Sequence, residues 1–134
     1  MKKFNLTPIA RTYTNNGQHL EQTARYFLTG RIEKADNTPC TVDGDCNGIQ
    51  IKSARATICK GTDIAAHIEK DAATKYAYIT AKEEMYLMTA TEYKDFATAF
   101  ATVTRESEKN GGQEKTRFKS ESKALLAYLE KATA

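Results

Sequence analysis

No apolar run in these 134 residues approaches the length needed to cross a bilayer, and no apolar signal core follows Lys2 and Lys3. Phe4, Asn5, Leu6, Thr7, Pro8 and Arg11 come instead, so no membrane span is expected, and a cytoplasmic location is. Cysteine is scarce: Cys40, Cys46 and Cys59 are odd in number and irregularly spaced, which suits a reduced compartment and not a disulfide framework. Beside His19 or His67 they lack the C-x-x-C or H-x-x-x-H pairs that seat zinc, and buried or idle thiols are the plainer reading. Charge of one sign is also lacking. Twenty Lys and Arg against 17 Asp and Glu leave a net +3, too weak a global field to indicate a polyanionic partner, so any basic surface must be local. There is no internal repeat and no linker, and one domain over residues 1–134 can bury a core without disulfides or a structural metal. Hydrophobic content of 40% with 28% charged residues is that of an ordinary soluble globular chain.

What is present is a mixed pattern of periods. From Asn15 to Gly30 the apolar positions Leu20, Ala24, Phe27 and Leu28 fall at helical spacing, with Asn15 or Asn16 available as cap and Gly30 as terminator. Residues 34–48 are broken by Asp36-Asn37, Pro39, Asp43-Gly44 and Asn47-Gly48, with room for a short strand around Cys40 to Val42. Ile49 to Ile58, bounded by Gly48 and Gly61, is rich in β-branched residues and predicts a strand. Thr62 to Asp71 fits either a short capped helix or an ordered loop. Tyr76 to Thr80 and Met85 to Thr89, separated by Lys82-Glu83-Glu84, predict an antiparallel hairpin. A helix opening at Thr91-Glu92 carries Tyr93, Phe96, Ala97 and Phe100 on one face. Lys109-Asn110-Gly111-Gly112 marks a turn between Thr102–Glu108 and Gln113–Lys119, after which Ser120 is placed to cap a final helix bearing Leu125, Leu126 and Leu129. The fold class expected is α/β, a mixed central sheet flanked by helices.

Alternation along the 49–58 strand puts Gln50, Lys52, Ala54 and Ala56 on one face and Ile49, Ile51 and Ser53 on the other. A lysine beside oxygen donors, with small alanines beyond it, leaves room for a metal ion, a water and a phosphate. It can orient the water and neutralise charge developing on the phosphate. Gln50 offers a carbonyl oxygen of the kind Mg²⁺ accepts, and Asp43 or Asp45, on the turn just upstream, can supply the missing negative charge. On the first helix Glu21 shares a stripe with Ala24 and Leu28, so its carboxylate points inward and needs a partner. Arg25 at i+4 is the structural candidate; Lys52 or a metal-bound water is the functional one.

An Asp followed by Gln50-Ile51-Lys52 on a strand resembles the PD-(D/E)xK motif of restriction enzymes, mismatch-repair nicking nucleases and Holliday-junction resolvases, with Gln50 in place of the usual second acid. Gly17-Gln18-His19-Leu20-Glu21, followed by Ala24, Leu28 and Gly30, is similar to the first helix of resolvase-like members, in which a glutamate reaches the active site; the likeness spans residues 15 to 100. The resemblance implies a restriction-endonuclease-like fold and Mg²⁺-dependent cleavage of DNA (Mn²⁺ as substitute) by Lys52, Gln50, Glu21 and an upstream acid. Metal ligands would be Asp45, Gln50 and Glu21. Gly44 and the following turn favour Asp45; Asp43 gives a more usual gap and Asp36 a longer one. Double-strand cutting by so small a domain implies a homodimer, in a restriction, phage or mobile-element setting.

Arg55, Lys60, Arg25 and His67 would stand near such a site as DNA contacts, and Arg117, flanked by Lys115 and Lys119 on alternating positions, adds a basic edge suited to phosphates. The bland alternative is that these alternating charges only solvate an outer face. Two rivals stand beside the nuclease: a DNA-binding or protein-interaction module of the same fold, inactivated at Gln50, and an unrelated α/β domain in which Asp43 and Asp45 only make turns.

Overall fold

The computed structural model describes residues 1–10, 15–29, 48–54, 56–71, 73, 75–119 and 121–133. Within them the order is β1 (Lys2–Asn5), α1 (Asn16–Thr29), β2 (Ile49–Ser53), β3 (Thr57–Lys60), α2 (Ile64–Lys70), β4 (Lys75–Ile79), β5 (Glu84–Thr89), α3 (Ala90–Phe100), β6 (Ala101–Arg105), a short 3₁₀ turn at Glu108–Asn110, β7 (Glu114–Phe118) and α4 (Lys123–Thr133). The strands form two sheets, one ordered β1-β5-β4-β2 and the other β3-β7-β6. In the first sheet β2 runs parallel to β4, while β4–β5 and β5–β1 are antiparallel. The chain is therefore mixed α/β. No helix among the described residues is long and apolar enough to cross a membrane.

Strand β4 lies at the centre of the packing, and its alternation explains why. Tyr76 and Tyr78 point to one side and Ala77 and Ile79 to the other, all of them 1% exposed or less. The tyrosine side is an aromatic core. Tyr76 stacks on Tyr93 of α3 with centroids 4.0 Å apart, and Tyr78 meets Phe96 and Phe118 edge-on at 5.0 and 5.2 Å. Phe96 also contacts Phe118, Phe100 and Tyr128, so it ties α3 to both sheets and to α4. The other side is aliphatic, joining Ala77, Ile79, Met85, Ile51 and Leu6 to Leu20 and Ala24 of α1.

Local signals account for the helix ends. The Asn15 side chain accepts the Gln18 amide at 3.1 Å at the start of α1, and Asp63 caps α2 through the Ala66 amide at 2.9 Å, which decides residues 62–71 in favour of a helix. Thr89 and Glu92 form a reciprocal capping box, so α3 begins at Ala90, one residue before the expected start. Ser122 caps α4 through the Leu125 amide at 3.1 Å, whereas Ser120 lies outside the described residues. Gly111 and Gly112 take positive φ (107° and 64°) in the turn that joins β6 to β7, a conformation that costs little only without a β-carbon.

Two expectations are corrected here. The stretch from Ile49 to Ile58 is not one strand: β2 ends at Ser53, the Ala56 amide closes a turn onto the Ser53 carbonyl at 3.1 Å, and β3 enters the other sheet. A single strand could not serve both sheets without this break. Strand β7, expected as a basic edge, is instead the central strand of its sheet. The short strand near Cys40–Val42 and the terminator Gly30 fall outside the described residues.

The aromatic hub yields a stability prediction. Phe96→Ala should lose about 3–5 kcal/mol in urea denaturation and Thr89→Ala ~1 kcal/mol, while Val103→Ala, at an exposed position, should stay within about 0.5 kcal/mol of wild type.

Candidate active site around Lys52

Parallel pairing sets Gln50 against Tyr76, Lys52 against Tyr78 and Ser53 against Ile79. Since Ile51 packs into the aliphatic core with Ala77 and Leu20, alternation turns Gln50 and Lys52 toward the tyrosine side and Ser53 toward α1. The expected division of faces therefore holds through Ser53. It ends there, so Ala54 and Ala56 are not a continuation of the lysine's face.

β2 is the outermost described strand of its sheet, and around its edge the two faces communicate. Lys52 is half-buried, and its Nζ donates to the Thr57 carbonyl at 2.9 Å, so the chain reversal after β2 holds the ammonium that β2 presents. Glu21 approaches from α1, where Ser53 Oγ donates to its Oε1 at 3.5 Å. Burial pushes the Glu21 carboxyl up from its ordinary value, opposed by the Lys52 ammonium, the Ser53 hydroxyl and Arg25. Burial likewise lowers Lys52, opposed by the Glu21 and Asp71 carboxylates. Lys52 and Arg25 thus both favour the charged form of Glu21.

Asp71 is the member that the sequence pattern did not single out. It follows α2 directly and receives the Tyr76 hydroxyl on Oδ2 at 3.1 Å and the Ala73 amide on Oδ1 at 3.3 Å. Tyr76 is the register partner of Gln50, which brings Asp71 to the Gln50–Lys52 side of the sheet. The only hint in the sequence is an aspartate closing a short helix, and only the β2–β4 crossover turns that into proximity.

A cavity of about 570 Å³ opens on the Glu21–Ser53 side of β2, and Gln50, Lys52 and Asp71 are not among the residues that line it. It is lined by Glu21 and Ser53, by the first residues of α1, by Ala54 and Ala56, and by Arg117 from β7. Arg117 is thereby brought to the Glu21 side of the site from more than 60 residues away in sequence. Of the other expected contacts, Arg25 is buried in α1, Lys60 is exposed at the end of β3, and His67 is exposed on α2. Asp36, Asp43, Asp45 and Arg55 lie outside the described residues. Among the described residues, no group of three or more His, Cys, Asp and Glu side chains is placed to hold a metal ion. The donors that are described, the Glu21 carboxylate and the Gln50 amide oxygen, are hard oxygen ligands of the kind Mg²⁺ takes, but they stand on opposite faces of β2, Glu21 with Ser53 on the α1 side and Gln50 on the tyrosine side.

No protein-family model, curated protein or solved structure matches the chain.

The coupling between the half-buried Glu21 and Lys52 charges can be measured directly. Glu21→Gln and Lys52→Met should show urea-denaturation effects that depart from additivity by more than about 0.5 kcal/mol in the double variant; additive effects would mean that the two charges do not interact. A carboxyl raised by burial contributes stability at acid pH that is lost as pH rises through its raised value. Hence the balance between wild type and Glu21→Gln should move toward the variant as pH rises from 4.5 to neutral.

Proposed function

We propose that this chain is a metal-dependent endonuclease that hydrolyses DNA phosphodiester bonds, built on a restriction-endonuclease-like core of the PD-(D/E)xK kind. The observation that carries the reading is the Lys52 ammonium, half-buried, anchored on the Thr57 carbonyl and influenced by both Glu21 and Asp71. Sequestering a charge this way costs stability unless neighbouring groups compensate, and such perturbed groups concentrate at functional sites. The resemblance of the Gln50-Ile51-Lys52 segment supplies the chemistry. An inward-facing glutamate on a helix packed against a mixed sheet, and a crossover with a helix between the parallel strands β2 and β4, are compatible with that core.

In this reading Glu21, Gln50 and Asp45 or Asp43 would hold Mg²⁺, with Mn²⁺ as a substitute. A bound divalent cation supplies Lewis-acid polarisation of the scissile phosphate. Lys52 orients the attacking water and neutralises charge building on the phosphoryl oxygens. Ser53 orients the Glu21 carboxylate, Asp71 steadies the lysine from the other side, and Arg117 contacts phosphate at the cavity. Gln50 contributes a ligand oxygen without charge, so a second acid is not required of that position. Two chains acting as a homodimer would cut both strands.

Supercoiled plasmid and linear or branched duplexes, incubated with Mg²⁺ or Mn²⁺, test this. Wild type should cut only with metal, Lys52→Ala should cut about 100-fold more slowly or worse, and Gln50→Glu should retain cutting. Binding without cutting in either metal would replace the enzyme with a DNA-binding module; neither binding nor cutting would leave an α/β domain unrelated to nucleases.

A further inference from the structure

We propose that the outer face of the β3-β7-β6 sheet is the surface on which double-stranded DNA docks before one phosphate enters the cavity at Glu21; the choice of DNA rests on the nuclease reading. The inner face of this sheet carries Ile58, Cys59, Thr116 and Phe118, all buried. Register then determines the outer face. Thr57 lies against Arg117 and Lys60 against Lys115 across β3–β7, while Thr102 lies against Arg117 and Thr104 against Lys115 across β6–β7. These six outward positions are three cations and three threonines, with no carboxylate among them. Lys115 forms an ion pair with Glu106. Exposed Lys119 extends the positive end beyond Phe118.

For a chain whose net charge is only +3, this is a local concentration of positive charge on a hydroxyl-bearing face. Lysine and arginine neutralise phosphates and threonine hydroxyls donate to their oxygens, which together suit a nucleic-acid backbone read without regard to sequence. Arg117 belongs both to this face and to the cavity lining, so a backbone lying on the sheet is continuous with the Glu21–Ser53 pocket. The placement depends on β7 being central: as an edge strand its cations would be flanked on one side only, by Thr57 and Lys60 or by Thr102 and Thr104.

The test is binding of a fluorescein-labelled duplex in EDTA, followed by anisotropy over a series of salt concentrations, so that cutting plays no part. A Lys60→Gln, Lys115→Gln, Lys119→Gln variant, checked for folding by circular dichroism, should bind on the order of tenfold more weakly or worse. Its salt slope should fall by roughly 0.9 per lost phosphate contact. Thr102→Glu with Thr104→Glu, which removes no cation but adds acids to the same face, should weaken binding similarly, while Lys94→Gln with Lys131→Gln, on the exposed sides of α3 and α4, should not. Wild-type affinity in both face variants, equal losses in the Lys94/Lys131 control, or tighter binding to phosphatidylserine vesicles than to DNA would overturn the proposal. If no variant cuts but the face variants lose binding, the docking surface stands and the nuclease reading falls. If wild type cuts and the face variants bind normally, the reverse holds.

Discussion

Everything positioned in this molecule depends on β4 being buried on both faces. A strand with two dry sides must separate two cores, and the Tyr-Ala-Tyr-Ile alternation assigns them: aromatic packing with α3, α4 and β7 on one side, aliphatic packing with α1 on the other. The neighbours of β4 inherit this division. Because β2 pairs with it in parallel, Gln50 and Lys52 fall on the aromatic side and Ser53 on the α1 side. The site at the edge of β2 is where the two sides meet, which is why Glu21 and Asp71, from helices packed on different faces, can both act on one lysine.

The same arrangement separates what stabilises the fold from what burdens it. Stacked and edge-on rings around Phe96 bury apolar area with favourable ring geometry. Lys52 and Glu21 do the opposite, each losing hydration that its partner only partly replaces. The Thr57 carbonyl and the Ser53 hydroxyl give these charges fixed hydrogen-bond partners. A site built this way is held by the short turn between β2 and β3 as much as by the strands, since its two partners, Ser53 and Thr57, flank that turn.

The break after Ser53 has a second consequence. By sending β3 into another sheet, it ties the strand that carries Lys52 to the face that carries Lys60, Lys115 and Arg117. One cation-bearing surface and one charged pocket are thus linked through a few residues of backbone, and Arg117 borders both.

Periodicity alone determined the helices α1, α3 and α4, the β4–β5 hairpin, the β6–β7 turn and that Gln50 and Lys52 share a face, because each is a pattern of neighbours within about a dozen residues. Capping chemistry set the starts to within a residue or two. β1 was not legible, since Lys2-Lys3-Phe4-Asn5 is a strand only because β5 offers it an edge. Nor was Asp71, an unremarkable helix-end aspartate until parallel pairing sets Tyr76 beside Gln50. Where the 49–58 run divides, which strand is central in the second sheet, and that Arg117 meets Glu21 were decided by tertiary structure alone: each depends on contacts between segments far apart in sequence, and no local pattern encodes a partner it does not contain.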